Sequence, residues 1–110
     1  MILRGYIHYA TVPLDKRRPV VILSPDRRNA LASDVVVVPC STQRRYGPWH
    51  VPLRSGEGGL FVPSVVRCEA ITTLPKRLID PKPLGGPLGG SRLREIEAHL
   101  MSALGIDLPE

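Results

Sequence analysis

The stretch Val35-Val-Val-Val-Pro39 constrains this chain more than any other. Four consecutive β-branched residues stiffen the backbone toward extended geometry. A continuous apolar run this short reads as a strand buried on both faces. Pro39 brings no N–H to a ladder, so regular pairing is expected to weaken there. Cys40-Ser-Thr-Gln43 follows, and then Arg44-Arg45. Hydroxyls, an amide and two guanidinium groups then stand at the mouth of a buried strand, where they suit an anionic ligand such as a phosphate. The plainer alternative is a strand that ends in a solvated loop.

Other segments punctuate in the same way. Leu3–Val12, Pro19–Leu23, Trp49–Leu53, Leu60–Val62 and Ser64–Ile71 read as further strands. Turn signals separate them: Pro13–Arg17, Ser24–Asn29, Arg44–Pro48, Gly56–Gly59 and a bend at Pro63. Short strands at close spacing predict a small β-barrel or sandwich. Asp80–Gly90 has no period and reads as a flexible Gly/Pro connector. It lacks the Lys-Ser/Thr ending of a phosphate loop. Beyond it, 91–104 reads as the one clear helix. Ser91 is its expected cap, Leu93, Ile96, Leu100 and Leu104 its apolar face, and Gly105 its stop. His99 is expected to be structural or on the surface.

At 110 residues the chain holds one domain, 1–110. The 12 Pro and 10 Gly argue against a helix bundle. Net charge is +5, which favours an anionic partner such as nucleic acid, an acidic protein segment or a membrane surface. No apolar run approaches the roughly 18 residues of a membrane span. Arg4, His8 and Asp15 interrupt any secretory signal, so a cytoplasmic protein is expected. Cys40 and Cys68 sit in Val-rich strands and read as small buried side chains. No His, Cys, Asp or Glu cluster has metal-ligand spacing. Asp26 and Glu57 fall in turns and are expected to serve solubility.

Three groups of residues could carry chemistry. Period two puts Arg67 and Glu69 on one face of their strand, about 7 Å apart. That pair is a catalytic candidate or a surface ion pair worth little. Arg17-Arg18 precede the second strand, and Pro19 biases Arg18 to extended geometry. Trp49 offers a stacking surface for an unpaired base, or a core residue. His50 beside it is a candidate proton-transfer group.

Three motifs occur in order: Arg17-Arg-Pro-Val-Val-Ile-Leu-Ser-Pro25, Val38-Pro-Cys-Ser-Thr-Gln43 and Val65-Val-Arg-Cys-Glu69. Together they resemble the MazF/PemK (Kid) toxins of bacterial type II toxin–antitoxin pairs, over most of the chain. The resemblance implies a small SH3-like β-barrel with a C-terminal helix, usually a homodimer. It implies a sequence-specific endoribonuclease that cuts single-stranded RNA without metal or cofactor and inhibits growth. It also implies a cognate acidic antitoxin, which suits a basic groove.

Residue by residue, the resemblance makes Arg67, Glu69, Arg18 and Ser41 the catalytic set. Glu69 is the base, with its carboxyl expected to titrate low beside Arg67. Arg67 and Arg18 clamp the developing phosphate charge, because guanidinium is a poor acid. Thr42, Gln43, Arg44, Arg45, Trp49, His50 and Arg17 are the expected RNA contacts. The chain departs from the family in a short loop, Pro13 to Arg17, in Glu rather than Asp at 69, and in Ala70-Ile-Thr-Thr73 where Gln and Arg are usual. The alternative is a non-catalytic binding toxin on the same fold, such as a CcdB-like gyrase poison, or a catalytically degenerate relative. A plain SH3-like adaptor is the third reading.

Overall fold

The computed structural model describes residues 1–12, 16–43 and 47–106. Seven strands build an antiparallel sheet: β1 (Ile7–Thr11), β2 (Arg17–Ile22), β3 (Asp34–Ser41), β4 (His50–Leu53), β5 (Ser64–Arg67), β6 (Thr72–Pro75) and β7 (Ile79–Pro83). A short helix α1 spans Asp26–Leu31, and α2 spans Gly90–Ala103. Pairing runs β4-β5-β3-β2-β1-β7, with β6 also on β3. The path is barrel-like but not closed, since β4 and β7 remain its ends.

β3 is the shared member. One edge pairs with β2. The other edge pairs with β6 along Asp34–Val37 and with β5 at Cys40–Ser41. Val35 and Val37 pack into one apolar cluster with Val20, Ile22 and Leu74, while Val38 and Cys40 pack into another with Val21, Val66 and Ile96. The valine run is therefore buried on both sides, as its composition predicts. Pro39 does not end the strand. It falls where β3 changes partner from β6 to β5, so one edge has no ladder there for a missing N–H to interrupt.

Several expected boundaries move. β1 begins at Ile7 rather than Leu3, and Leu60–Val62 forms no strand. The Ser24–Asn29 link runs into α1, whose buried Asn29 donates to the Ser24 carbonyl at 2.9 Å. β5 stops at Arg67, where a 3₁₀ turn, Cys68–Ala70, replaces the expected continuation to Ile71. The connector assigned to 80–90 is corrected as well. Its first residues belong to β7, which pairs with β1. Leu84 N–H then donates to the Ile7 carbonyl and Leu88 N–H to the Gly5 carbonyl, each at 2.9 Å. Backbone pairing organises a segment whose side chains show no period. Glycine is required where it passes the β4–β5 connection: Gly59 has φ +90°, and a Cβ there would sit 2.4 Å from the Leu84 carbonyl.

α2 buries Ile96 and packs Leu93 and Leu100 on the core; Leu104 lies past its end and is exposed. Gly89, not Ser91, occupies its N-cap, with no side-chain cap. Asp26 and Glu57 do more than solubilise. Asp26 Oδ1 accepts the Arg4 N–H at 2.6 Å. Glu57 accepts the Arg54 N–H at 2.6 Å and takes Arg92 Nε and Nη2, each at 3.0 Å. That bidentate pair joins the β4–β5 connection to α2. His99 Nδ1–H donates to the Glu95 carbonyl at 2.8 Å, the structural role expected of it.

Candidate active site

The register of three strands assembles one polar face. Ser41 lies opposite Val65, Val65 opposite Pro52, and His50 opposite Arg67. Strand alternation places Pro39, Ser41, Val65, Arg67, His50 and Pro52 together on this face. Val38, Cys40, Val51 and Val66 fill the core behind it. Val20 lies opposite Pro39, so β2 adds Arg18 to the same face.

At the centre is Glu69. The 3₁₀ turn after β5 brings its carboxylate back onto Arg67, closer than two strand positions allow. Arg67 Nε–H donates to Glu69 Oε1 at 3.2 Å, and His50 Nε2 stands 3.0 Å from the same oxygen. His50 Nδ1 accepts the Gly47 N–H at 3.0 Å. That bond makes Nε2 the protonated nitrogen of the neutral ring, and hence the donor to Glu69. Partial burial pushes the Glu69 carboxyl up, but His50, the residue's own backbone N–H and the Arg67 bond outweigh it and leave the group below its ordinary value. The low titration expected from Arg67 is present, with His50 its stronger cause.

Arg18 and Arg67 line a pocket of about 200 Å³ with Val12, Val20, Val37, Pro39, Ala70 and Thr72. Two guanidinium groups over largely apolar walls attract an anion more strongly than they would in open water. Ser41 and Thr42 open instead onto a neighbouring pocket of about 450 Å³, with Arg54, Ser55, Ser64 and Arg92. The buried Ser41 hydroxyl accepts the Gln43 N–H at 3.1 Å, which turns the chain at the end of β3. Ser41 is thus placed beside the Arg18–Arg67 pocket rather than in it. Arg54 and Arg92 are members the sequence did not signal, because they arrive from a turn and from a distant helix.

Arg17 parts from this face. Its strand neighbour Arg18 faces the site, so Arg17 points to the opposite side. There it pairs with Asp80 Oδ2 at 2.7 Å and lies 4.7 Å over the Tyr9 ring. Trp49 is exposed beside His50 rather than part of the core. Gln43 is exposed at the rim. Arg44 and Arg45, and Pro13–Asp15 of the short first loop, lie outside the described residues. Among the described residues, no three His, Cys, Asp or Glu side chains gather as a metal ion requires.

A barrel-like antiparallel sheet with a C-terminal helix is a fold found among small bacterial toxins. The chain belongs to the PemK-like, MazF-like toxins of type II toxin–antitoxin systems, whose family model matches residues 5–104. An endoribonuclease solved in complex with its cognate antitoxin, from a mycobacterial species, is similar at 28% identity and a TM-score of 0.85, over 99% of this chain and 100% of that one. The Mycobacterium tuberculosis toxin MazF-mt6 is similar at 30% identity and a TM-score of 0.84, over 94% of this chain and 99% of that one. A MazE–MazF structure from Deinococcus radiodurans shares the fold, with a TM-score of 0.80 at 24% identity over 96% of this chain and 97% of that one. No curated protein sequence matches the chain.

Proposed function

We propose that this toxin is a metal-independent endoribonuclease that cuts single-stranded RNA by attack of a 2′-hydroxyl on the adjacent phosphate. The observation that carries the reading is Glu69 held by His50 and by Arg67, the arginine that lines a pocket with Arg18. Similar solved proteins that are endoribonucleases support it.

Cleavage needs a base for the 2′-proton, charge neutralisation at the pentacovalent phosphate, and a proton or cation for the leaving 5′-oxygen. Glu69 takes the 2′-proton. With the His50 N–H on Oε1, that proton goes to Oε2. The 2′-oxygen bonds to phosphorus as the P–O5′ bond breaks, which leaves a 2′,3′-cyclic phosphate and a 5′-hydroxyl. Arg18 and Arg67 take the charge on the phosphate oxygens. Water protonates the departing 5′-oxygen while Arg67 holds its charge, and the hydroxide left behind takes the proton from Glu69, which restores the base. Ser41 and Thr42, one strand row away, receive the neighbouring nucleotide, and Trp49 stacks a base. The partner proteins are a cognate acidic antitoxin that covers this basic face and a second copy of the chain, in the cytoplasm.

The test is incubation with a long unstructured RNA in EDTA, comparing the native chain with Arg67→Ala and mapping the ends. Discrete cuts leaving 5′-hydroxyl ends, lost in the variant, are expected. A folded, antitoxin-free sample that cuts nothing would overturn the reading in favour of a binding toxin, with DNA gyrase the next target to assay.

A further inference from the structure

We infer that His50 is a positioning residue: from β4 it holds the Glu69 carboxylate oriented while Arg67 leaves it for the phosphate. The inference rests on the ribonuclease reading above and extends it to a residue outside the base and its arginines.

The two donors on Glu69 Oε1 differ in freedom. The Arg67 side chain is 44% exposed and reaches the carboxylate through Nε alone, so it can swing toward a bound phosphate. The His50 side chain is 14% exposed and anchored at both ring nitrogens, by the Gly47 N–H at Nδ1 and by Glu69 at Nε2. Its strand register opposite Arg67 fixes the ring beside the base whatever the arginine does. When Arg67 turns to the phosphate, His50 remains as the donor that keeps the carboxylate aimed. A base displaced by about 1 Å costs on the order of 10²-fold in rate. Among the described residues, Arg67 from β5 and His50 from β4 bond this carboxylate, and Arg18 of β2 lines the pocket beside Arg67. Behind the 3₁₀ turn, α2 contributes Glu95, held by Arg92, facing Cys68.

The experiment uses the whole chain with His50→Leu and His50→Gln. Gln keeps a side-chain N–H near the place of Nε2; Leu keeps bulk without a donor. Three readouts are taken: the pH–rate profile on a single-stranded RNA oligonucleotide that the native chain cuts, the Glu69 titration by carboxyl ¹³C NMR without RNA, and the His50 tautomer by ¹⁵N NMR. In the native chain the Nε2–H tautomer is expected. In His50→Leu the Glu69 midpoint and the acid limb of the profile move up together, kcat falls about 10- to 100-fold, and KM changes little. His50→Gln restores most of the rate and the native acid limb. An Nδ1–H tautomer, or a Leu variant with the native midpoint and profile, would overturn the inference. If the native chain cuts no RNA but the Glu69 midpoint still moves in His50→Leu, the hold on Glu69 is supported and the ribonuclease reading fails. The tautomer is read on the native chain, so the question stays decidable if a variant fails to fold.

Discussion

Arg67, the last residue of β5, and Glu69, in the turn after it, are exposed, whereas their neighbours Val66 and Cys68 are fully buried. The strand end and the turn after it thus separate chemistry from packing at adjacent positions. Arg67→Ala removes a charge from the surface and nothing from the core, so its thermal midpoint should match the native chain while cleavage drops on the order of 10²–10³-fold. A large loss of stability by calorimetry would show that Arg67 is structural. The cysteines lie on the packing side. Burial is the main cause that pushes both the Cys40 and Cys68 thiols up to about 12. At neutral pH neither presents a thiolate, the reactive form. Both should resist a thiol reagent in the native state and react on denaturation; prompt labelling of the folded chain would contradict this burial.

The connection between β4 and β5 owes its shape to a charge and a glycine. Glu57 ties the turn to α2 through Arg92. Partial burial raises the Glu57 carboxyl, and the Arg92 and Arg54 bonds and charges bring it below its ordinary 4.5. A carboxyl that titrates lower folded than unfolded lends stability above its unfolded value and loses it as pH falls through the folded one. Arg92→Ala should therefore destabilise by about 1–3 kcal/mol at pH 7, with the gap to the native chain narrowing as pH drops below 4.5. Denaturant melts at pH 7 and pH 3 would show it, and a gap independent of pH would remove the ion pair as its cause. Gly59 meets the Leu84 backbone where no Cβ fits. Gly59→Ala should cost at least about 1 kcal/mol in the same melts, and a neutral result would mean the two segments can part freely.

The whole molecule carries a net charge of +5, with Arg18, Arg54, Arg67 and Arg92 on or beside the proposed RNA face. Binding to a single-stranded oligonucleotide should weaken with salt, the log–log slope being about −0.7 for each phosphate neutralised. Arg67→Ala should reduce that slope by about one phosphate's share, as measured by fluorescence anisotropy across a salt series. An unchanged slope would place Arg67 off the backbone path. The same basic face suits an acidic antitoxin segment, which would compete with RNA for it.

Much of this was legible in the order of residues. The β-branched run Val35–Val38 determines a doubly buried strand, because such side chains are stiff in extended geometry and apolar on both faces. The leucine and isoleucine spacing of 91–104 determines one apolar helix stripe. The motifs around Arg18, Ser41 and Arg67 were visible because each is short and local. What tertiary structure decided lies between distant segments. β7 arises where Asp80–Pro83 pairs with β1, and a ladder needs backbone groups rather than side-chain period. Pro39 is accommodated by a change of partner strand that no local signal reveals. Arg17 and Arg18, adjacent in sequence, part to opposite faces through strand alternation once register is set. The approach of His50 to Glu69 depends on the register of β4 against β5, which positions 19 residues apart in sequence cannot announce.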